Sequence, residues 1–161
     1  MTDTLAPHLI DDLRKTATEI LETMVSMTPT SVEAVPEETS SFSAEVIGML
    51  GFTGTRAGTF VVRSTEQLAR MMAARMLMME PEELGDFAEV SDAFGEIVNM
   101  LTGNFKNSWV ALGNQMELSV PNVIHHGSVS VNSDSRELRA CVRVQVEGHS
   151  VDIGVHFESK D

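Results

Sequence analysis

The chain predicts an α+β fold in which helices pack on one side of a largely antiparallel sheet. Three observations carry this expectation. Apolar residues recur at helical spacing in three segments, and short runs rich in β-formers fill most of the remainder. The order is helix, strand pair, two helices and then several strands, which differs from the strict alternation of a parallel sheet. Each half thus opens with a long helix leading into hairpins, the pattern of a degenerate internal duplication without residue identity between the copies. At 161 residues the chain suits one core and is too short for two, so residues 1–161 are expected to form a single domain.

The first helix is expected from Ala6 to Met27, where Leu9, Leu13, Ile20, Met24 and Met27 fall mostly on one side and Pro29 closes the run. The segment SVEAVPEETSS (31–41), acidic and carrying Pro36, reads as an exposed loop. EVIGMLGF (45–52) and GTFVVRS (58–64), joined by the turn residues TGTRAG, read as a β-hairpin. Ser64, with Gln67 three positions on, has capping-box spacing ahead of the helical run 66–80. Pro81 ends that helix or starts the next segment. Asp86 with Glu89 repeats the signal before a third helix, placed from about Phe87 to Ser108 or a little beyond. MELSVPNVIHH (116–126), SVSVNS (128–133), LRACVRVQV (138–146) and SVDIGVHFE (150–158) are expected strands with hairpin connections.

Composition narrows the function. Apolar residues are 42% and charged residues 22% of the chain, ordinary for a folded globular protein. A formal charge of −13, from 24 acidic and 11 basic residues, opposes nucleic acid and anionic membrane as partners, since phosphate binding needs clustered cations. No apolar run approaches the roughly 18 residues of a membrane span, and the N-terminal stretch lacks a basic start before an apolar core, so a cytoplasmic location is expected. Cys141, the single cysteine, lies in an alternating stretch and reads as a buried small hydrophobe.

The third helix carries the chemistry. At 100° per residue Val90, Phe94, Ile97, Val98, Leu101 and Phe105 form the core face. Asp92, Glu96, Asn99 and Gly103, spaced by four, three and four, form a stripe on the opposite side. A solvent-facing stripe is ordinarily polar, so spacing alone is compatible with a plain surface. Glycine inside a helix costs roughly 1 kcal/mol relative to alanine, and both Gly95 and Gly103 are present. Gly95, at the flank, suits ordinary packing, whereas Gly103 on the polar stripe suggests close approach by something outside the fold.

Asp92-x-x-x-Glu96-x-x-Asn99 matches the D/S-x-x-x-E-x-x-N signature of the CheC, CheX and FliY chemotaxis phosphatases. GEIVNMLTGNFK resembles their active-site helix, and the sequence of elements around it is similar to CheX across nearly the full chain. The resemblance implies a CheC-like fold and an enzyme that hydrolyses the aspartyl phosphate of a phosphorylated CheY-type response regulator. It also implies the roles. Asn99 positions the attacking water, Glu96 docks the regulator's active-site lysine, and Asp92 supplies only a supporting docking contact or a helix role, while Gly103 joins the docking surface by its place on the stripe. Mg²⁺ is expected on the regulator, with no metal or cofactor bound by this chain. Some relatives carry two such helices. Here, aligning Asp12 with Asp92 puts Thr16 and Glu19 where Glu96 and Asn99 stand, so one site per chain and a CheX-like homodimer formed through the sheets are implied. The alternative from another class is a non-catalytic binding module of the same fold in a signalling or flagellar assembly.

Rival sites are weaker. Met71, Met72, Met76, Met78 and Met79 suggest a partner groove, but helical spacing with Leu68 favours core packing. His125 and His126 are adjacent and, on a strand, would face opposite sides and share no metal. No nucleophile-elbow, Walker or dinucleotide glycine motif occurs, and the glycines of MLGFTGTRAG sit in a hairpin connection.

Overall fold

The computed structural model describes residues 5–36, 41–131 and 139–158. Three helices, α1 (Leu5–Met24), α2 (Glu66–Leu77) and α3 (Phe87–Ala111), accompany seven strands: β1 (Ser31–Ala34), β2 (Ser41–Gly54), β3 (Gly58–Ser64), β4 (Met116–Leu118), β5 (Asn122–Ser130), β6 (Arg139–Val146) and β7 (His149–Phe157). The strands form one sheet in the order β1-β6-β7-β3-β2-β4, with β5 also on β2, and every pairing is antiparallel. The duplication expected from the sequence is legible in this order. Exchanging β1 with β4/β5, β2 with β6 and β3 with β7 gives the same list read from the other end. Each half lends its outer strand to the other: β1 lies on β6, and β4 and β5 lie on β2.

One core joins helices and sheet. Leu9, Leu13, Ala17 and Leu21 of α1 are buried at steps of four, with Phe60 and Val62 of β3, Val142 and Val144 of β6, and Ile153 and Val155 of β7. On the alternate positions Val61 and Cys141 are also buried, and strand alternation places them on the face turned from the helices. The Cys141 sulfur accepts from the Arg63 guanidinium at 3.4 Å. No helix among the described residues is long and apolar enough to cross a membrane.

Gly48 sets how closely α3 lies on β2. A Cβ built there would collide with Val98 and come within 3.0 Å of the Phe94 ring. Packed cores resist even one added carbon. Gly48→Ala is therefore expected to lower stability by about 1–3 kcal/mol, read by urea denaturation. An unchanged midpoint would mean that α3 moves away freely.

Several local expectations change. The first helix stops at Met24, whose side chain is 49% exposed. Ser26 then takes a left-handed backbone, and Met27 turns back into the core. Residues 31–34 of the supposed loop are β1, held by pairing with β6 from Val142 to Gln145; residues 37–40 lie outside the described residues. The cap of α2 is Thr65 in place of Ser64, its hydroxyl accepting from the Leu68 amide at 3.2 Å. Pro81 starts a short 3₁₀ turn after α2 has closed on the left-handed Met78. Leu68 and Met72 are buried and Met71, Met76 and Met79 pack against the core, as spacing suggested, but Met78 is 92% exposed. Asp86 caps α3 as expected, accepting from Ala88, while Glu89 accepts from the Gly85 amide. The two runs 116–126 and 128–133 divide differently: the break falls at Ser119–Pro121, and β5 continues through Gly127 to Ser130. Positions 132, 133 and 138 lie outside the described residues.

Candidate active site

The two faces of α3 separate as its periodicity requires. Val90, Phe94, Ile97, Val98, Leu101 and Phe105 are buried, whereas Asp92, Glu96 and Asn99 are exposed and Gly103 is half-buried. The Asn99 Nδ2 donates to Glu96 Oε1 at 3.4 Å, a long contact. A carboxylate can only accept, so the carboxamide nitrogen faces Glu96 and Oδ1 turns away from it. That leaves an acceptor directed outward beside an anionic acceptor.

These side chains line a groove of about 380 Å³ with Ser91, Asp92 and Gly95 on α3 and Ser119 to Val123 opposite. The opposite wall exists because the strand is interrupted. β4 and β5 both pair with β2, but between Leu118 and Asn122 the chain bows out. Proline lacks the amide needed for a continuous ladder, which suits Pro121 to such a break. Ser119 anchors the bow, its amide donating to the Gly51 carbonyl at 2.9 Å and its hydroxyl accepting from the Gly51 amide at 3.1 Å. Val120 beside it is 75% exposed. The sequence reading missed this wall, for which Pro121 within an otherwise strand-like run was the available signal.

Gly95 is buried against the wall, and a Cβ there would meet Val123 and Pro121 at ordinary contact distances of 3.6 and 3.8 Å. A Cβ on Gly103 would meet no atom of the chain within 4 Å, so packing within the described fold gives no reason for glycine at that position. On the other flank Glu89, Asp92 and Glu96 border a shallow depression with Met76 and Leu77 of α2. An acid and amide stripe is thus flanked by the exposed apolar residues Leu77 and Val120.

The corresponding positions of α1 are otherwise employed. The Thr16 hydroxyl, fully buried, donates to Asn104 Oδ1 at 2.8 Å, and Asn104 Nδ2 donates to Glu19 Oε2 at 2.8 Å. Burial raises the Asp12 carboxyl above its usual range. This stripe of α1 is joined to α3 through Asn104.

The histidine pair departs from its expected geometry. His126 has φ 56°, and the β2–β5 ladder pairs Ala44 with Gly127 and Val46 with His125 but carries no pair between them. The left-handed residue cancels the alternation, so both rings lie on the same side, 4.3 Å apart. Both approach Glu66 Oε1, His125 Nε2 at 2.7 Å and His126 Nε2 at 3.3 Å. Hydrogen bonds from His125 and Arg70 lower the Glu66 carboxyl to about 2, which keeps it ionised at neutral pH.

Comparison with the curated proteins returns no match. Among solved structures, a chemotaxis protein CheX from Desulfovibrio desulfuricans is 20% identical, covers 93% of this chain and 99% of its own, and superposes with a TM-score of 0.79. A CheX-CheY-BeF3-Mg complex from Borrelia burgdorferi is similar at 16% identity, over 93% of this chain and 97% of that one, with a TM-score of 0.73. FliY from Thermotoga maritima follows at 19% identity, 96% and 92% coverage and a TM-score of 0.59. Such identities speak for the fold. The family profile described as chemotaxis phosphatase CheX matches residues 46–145, a stretch holding α2, α3 and the whole groove, and by that match the chain belongs to the CheX family of chemotaxis phosphatases.

Proposed function

We propose that this protein accelerates hydrolysis of the aspartyl phosphate of a CheY-type response regulator, with Asn99 and Glu96 as its working residues. The observation that carries the reading is the pair itself, side by side on the exposed stripe of α3 in a walled groove. Family membership and the CheX-CheY complex of a relative of the same fold support the reaction and the kind of partner. The exposed apolar residues on both flanks, Leu77 and Val120, suit a protein partner, because the part of a protein surface that becomes buried on docking is richer in apolar contact than the rest.

The chemistry asks little of the enzyme. Attack on an aspartyl phosphate passes through a loose transition state, so positioning and electrostatics supply most of the acceleration. Water forms the new P–O bond as the bond to the aspartate oxygen breaks, and the aspartate departs as carboxylate. The Asn99 Oδ1 accepts a hydrogen bond from that water and holds its oxygen on the line of attack, with no change of ionisation of Asn99, and the water's protons leave with the inorganic phosphate. Glu96 accepts a charge-assisted hydrogen bond from the regulator's lysine. Asp92 and Gly103 contribute to docking, the latter by letting the regulator's backbone approach the helix closely. Mg²⁺ belongs to the regulator and neutralises the phosphoryl oxygens there. A homodimer formed through the sheets completes the proposal, and sedimentation equilibrium tests that element separately.

The deciding experiment follows phosphate loss from phosphorylated CheY-type regulators with Mg²⁺, in the presence and absence of the chain. Binding without acceleration would instead support the non-catalytic module. Glu96→Ala is expected to weaken association with the phosphorylated regulator roughly 10-fold, the size of one charge-assisted hydrogen bond, measured by titration against its beryllofluoride complex. An unaltered affinity would remove Glu96 from the docking role.

A further inference from the structure

We propose that Glu66, His125 and His126 form a binding site for a divalent transition metal ion of the Zn²⁺ class, outside the phosphatase groove and independent of that activity. The three ligand atoms lie within 4.8 Å of one another. Tetrahedral Zn²⁺, with bonds of about 2.0–2.1 Å, separates its ligand atoms by roughly 3.3 Å. Glu66 Oε1 already stands 3.3 Å from His126 Nε2 and 2.7 Å from His125 Nε2, so the first contact has that spacing and the second needs a small opening, with the two histidine ligand atoms within 4.8 Å of each other.

The groups come from separate elements and are held individually. Glu66 begins α2, and its amide donates to the Glu45 carboxylate at 2.7 Å, which adds a second negative charge nearby. Its Oε2 accepts from Arg70 at 3.1 Å, leaving Oε1 as the ligand atom and fixing a one-oxygen coordination. The His125 ring stacks on Phe87 with centroids 3.6 Å apart and planes 3° from parallel. His126 adopts a left-handed backbone, φ 56°, which a residue with a side chain rarely takes, and that conformation is what brings its imidazole to the same carboxylate.

Two imidazoles and one carboxylate suit Zn²⁺, Co²⁺ or Ni²⁺ and are poor ligands for Mg²⁺ or Ca²⁺, which prefer oxygen. Three protein ligands leave the remaining position to water. A bound ion would brace the edge strand β5 against the starts of α2 and α3, two residues beyond Val123 of the groove wall.

The test is calorimetric titration of the untagged chain with Zn²⁺, paired with thermal melts. One ion per chain and a rise in Tm are expected, since an ion that binds only the folded state stabilises it, and Mg²⁺ at the same concentration should do neither. His126→Gly removes the imidazole while glycine accepts the left-handed backbone without strain, and Glu66→Gln keeps the size of the other anchor. Each is expected to lower Zn²⁺ affinity at least about 10-fold, the smaller end of what even outer partners of a metal contribute, and to abolish the Zn²⁺-dependent Tm rise. No saturable binding at one ion per chain, or binding that survives both substitutions, overturns the site. Loss of phosphatase activity has no bearing on either outcome.

Discussion

Replacing Asn99 with alanine is expected to reduce accelerated dephosphorylation on the order of 10²-fold, with the folded structure and much of the regulator binding intact. Asn99 is exposed on α3 and its side chain donates to Glu96 at 3.4 Å, so truncation opens no cavity. Under the proposed mechanism the variant loses a contact to water made as attack begins, and such a loss falls on the rate of the bound complex more than on its formation. Single-turnover kinetics with saturating chain separate the two. A variant with full activity would exclude water positioning by this residue. Aspartate at the same position is a sharper probe: it retains an acceptor, loses the donor and adds charge beside Glu96.

The second large effect lies beneath the site. Phe94 is fully buried in the core and forms part of the surface that Gly48 receives. Phe94→Ala should destabilise the fold by about 3–5 kcal/mol, the transfer loss plus the cavity left behind. At about 2–4 °C per kcal/mol for a chain of this size, the melting temperature drops correspondingly. Gly48→Ala and Phe94→Ala act on one contact from opposite sides. Combined, they should be somewhat less destructive than their sum, since Phe94→Ala removes the ring at 3.0 Å from the added methyl while the nearer Val98 side chain stays in its way. A strictly additive double variant would show that the Phe94 ring does not constrain the added methyl, leaving Val98 as the obstacle.

The core face of α3 could be read from sequence because a 3.6-residue period is a local property, and Val90 through Phe105 repeat it over four turns. The polar stripe was legible in the same way, and its setting across the chain gave it a family. What escaped depends on pairing at a distance or on a single backbone angle. β1 is SVEA, four residues whose alternation is too short to mark a strand by itself, and it pairs along β6 from Val142 to Gln145. The groove wall depends on where a ladder skips, and Gly127 resembled a turn more than Pro121 resembled a break. His126 shows the sharpest difference, since one left-handed φ reverses the side on which a ring emerges. Gly48 gave no warning either, because its neighbour across the contact is about fifty positions away.

The palindromic strand order bears on how the chain acquires its structure. Thr30, at the mouth of β1, finds its backbone and hydroxyl partner in Gln145, 115 positions later, while the β2 edge is covered only when β4 and β5 arrive. A chain emerging from the ribosome can close the β2–β3 hairpin early but cannot finish the sheet of its first half until nearly all of the second has been made. Such distant closures slow folding, and they bind the halves into one cooperative unit, so cutting between α2 and α3 would leave two fragments that each lack an outer strand.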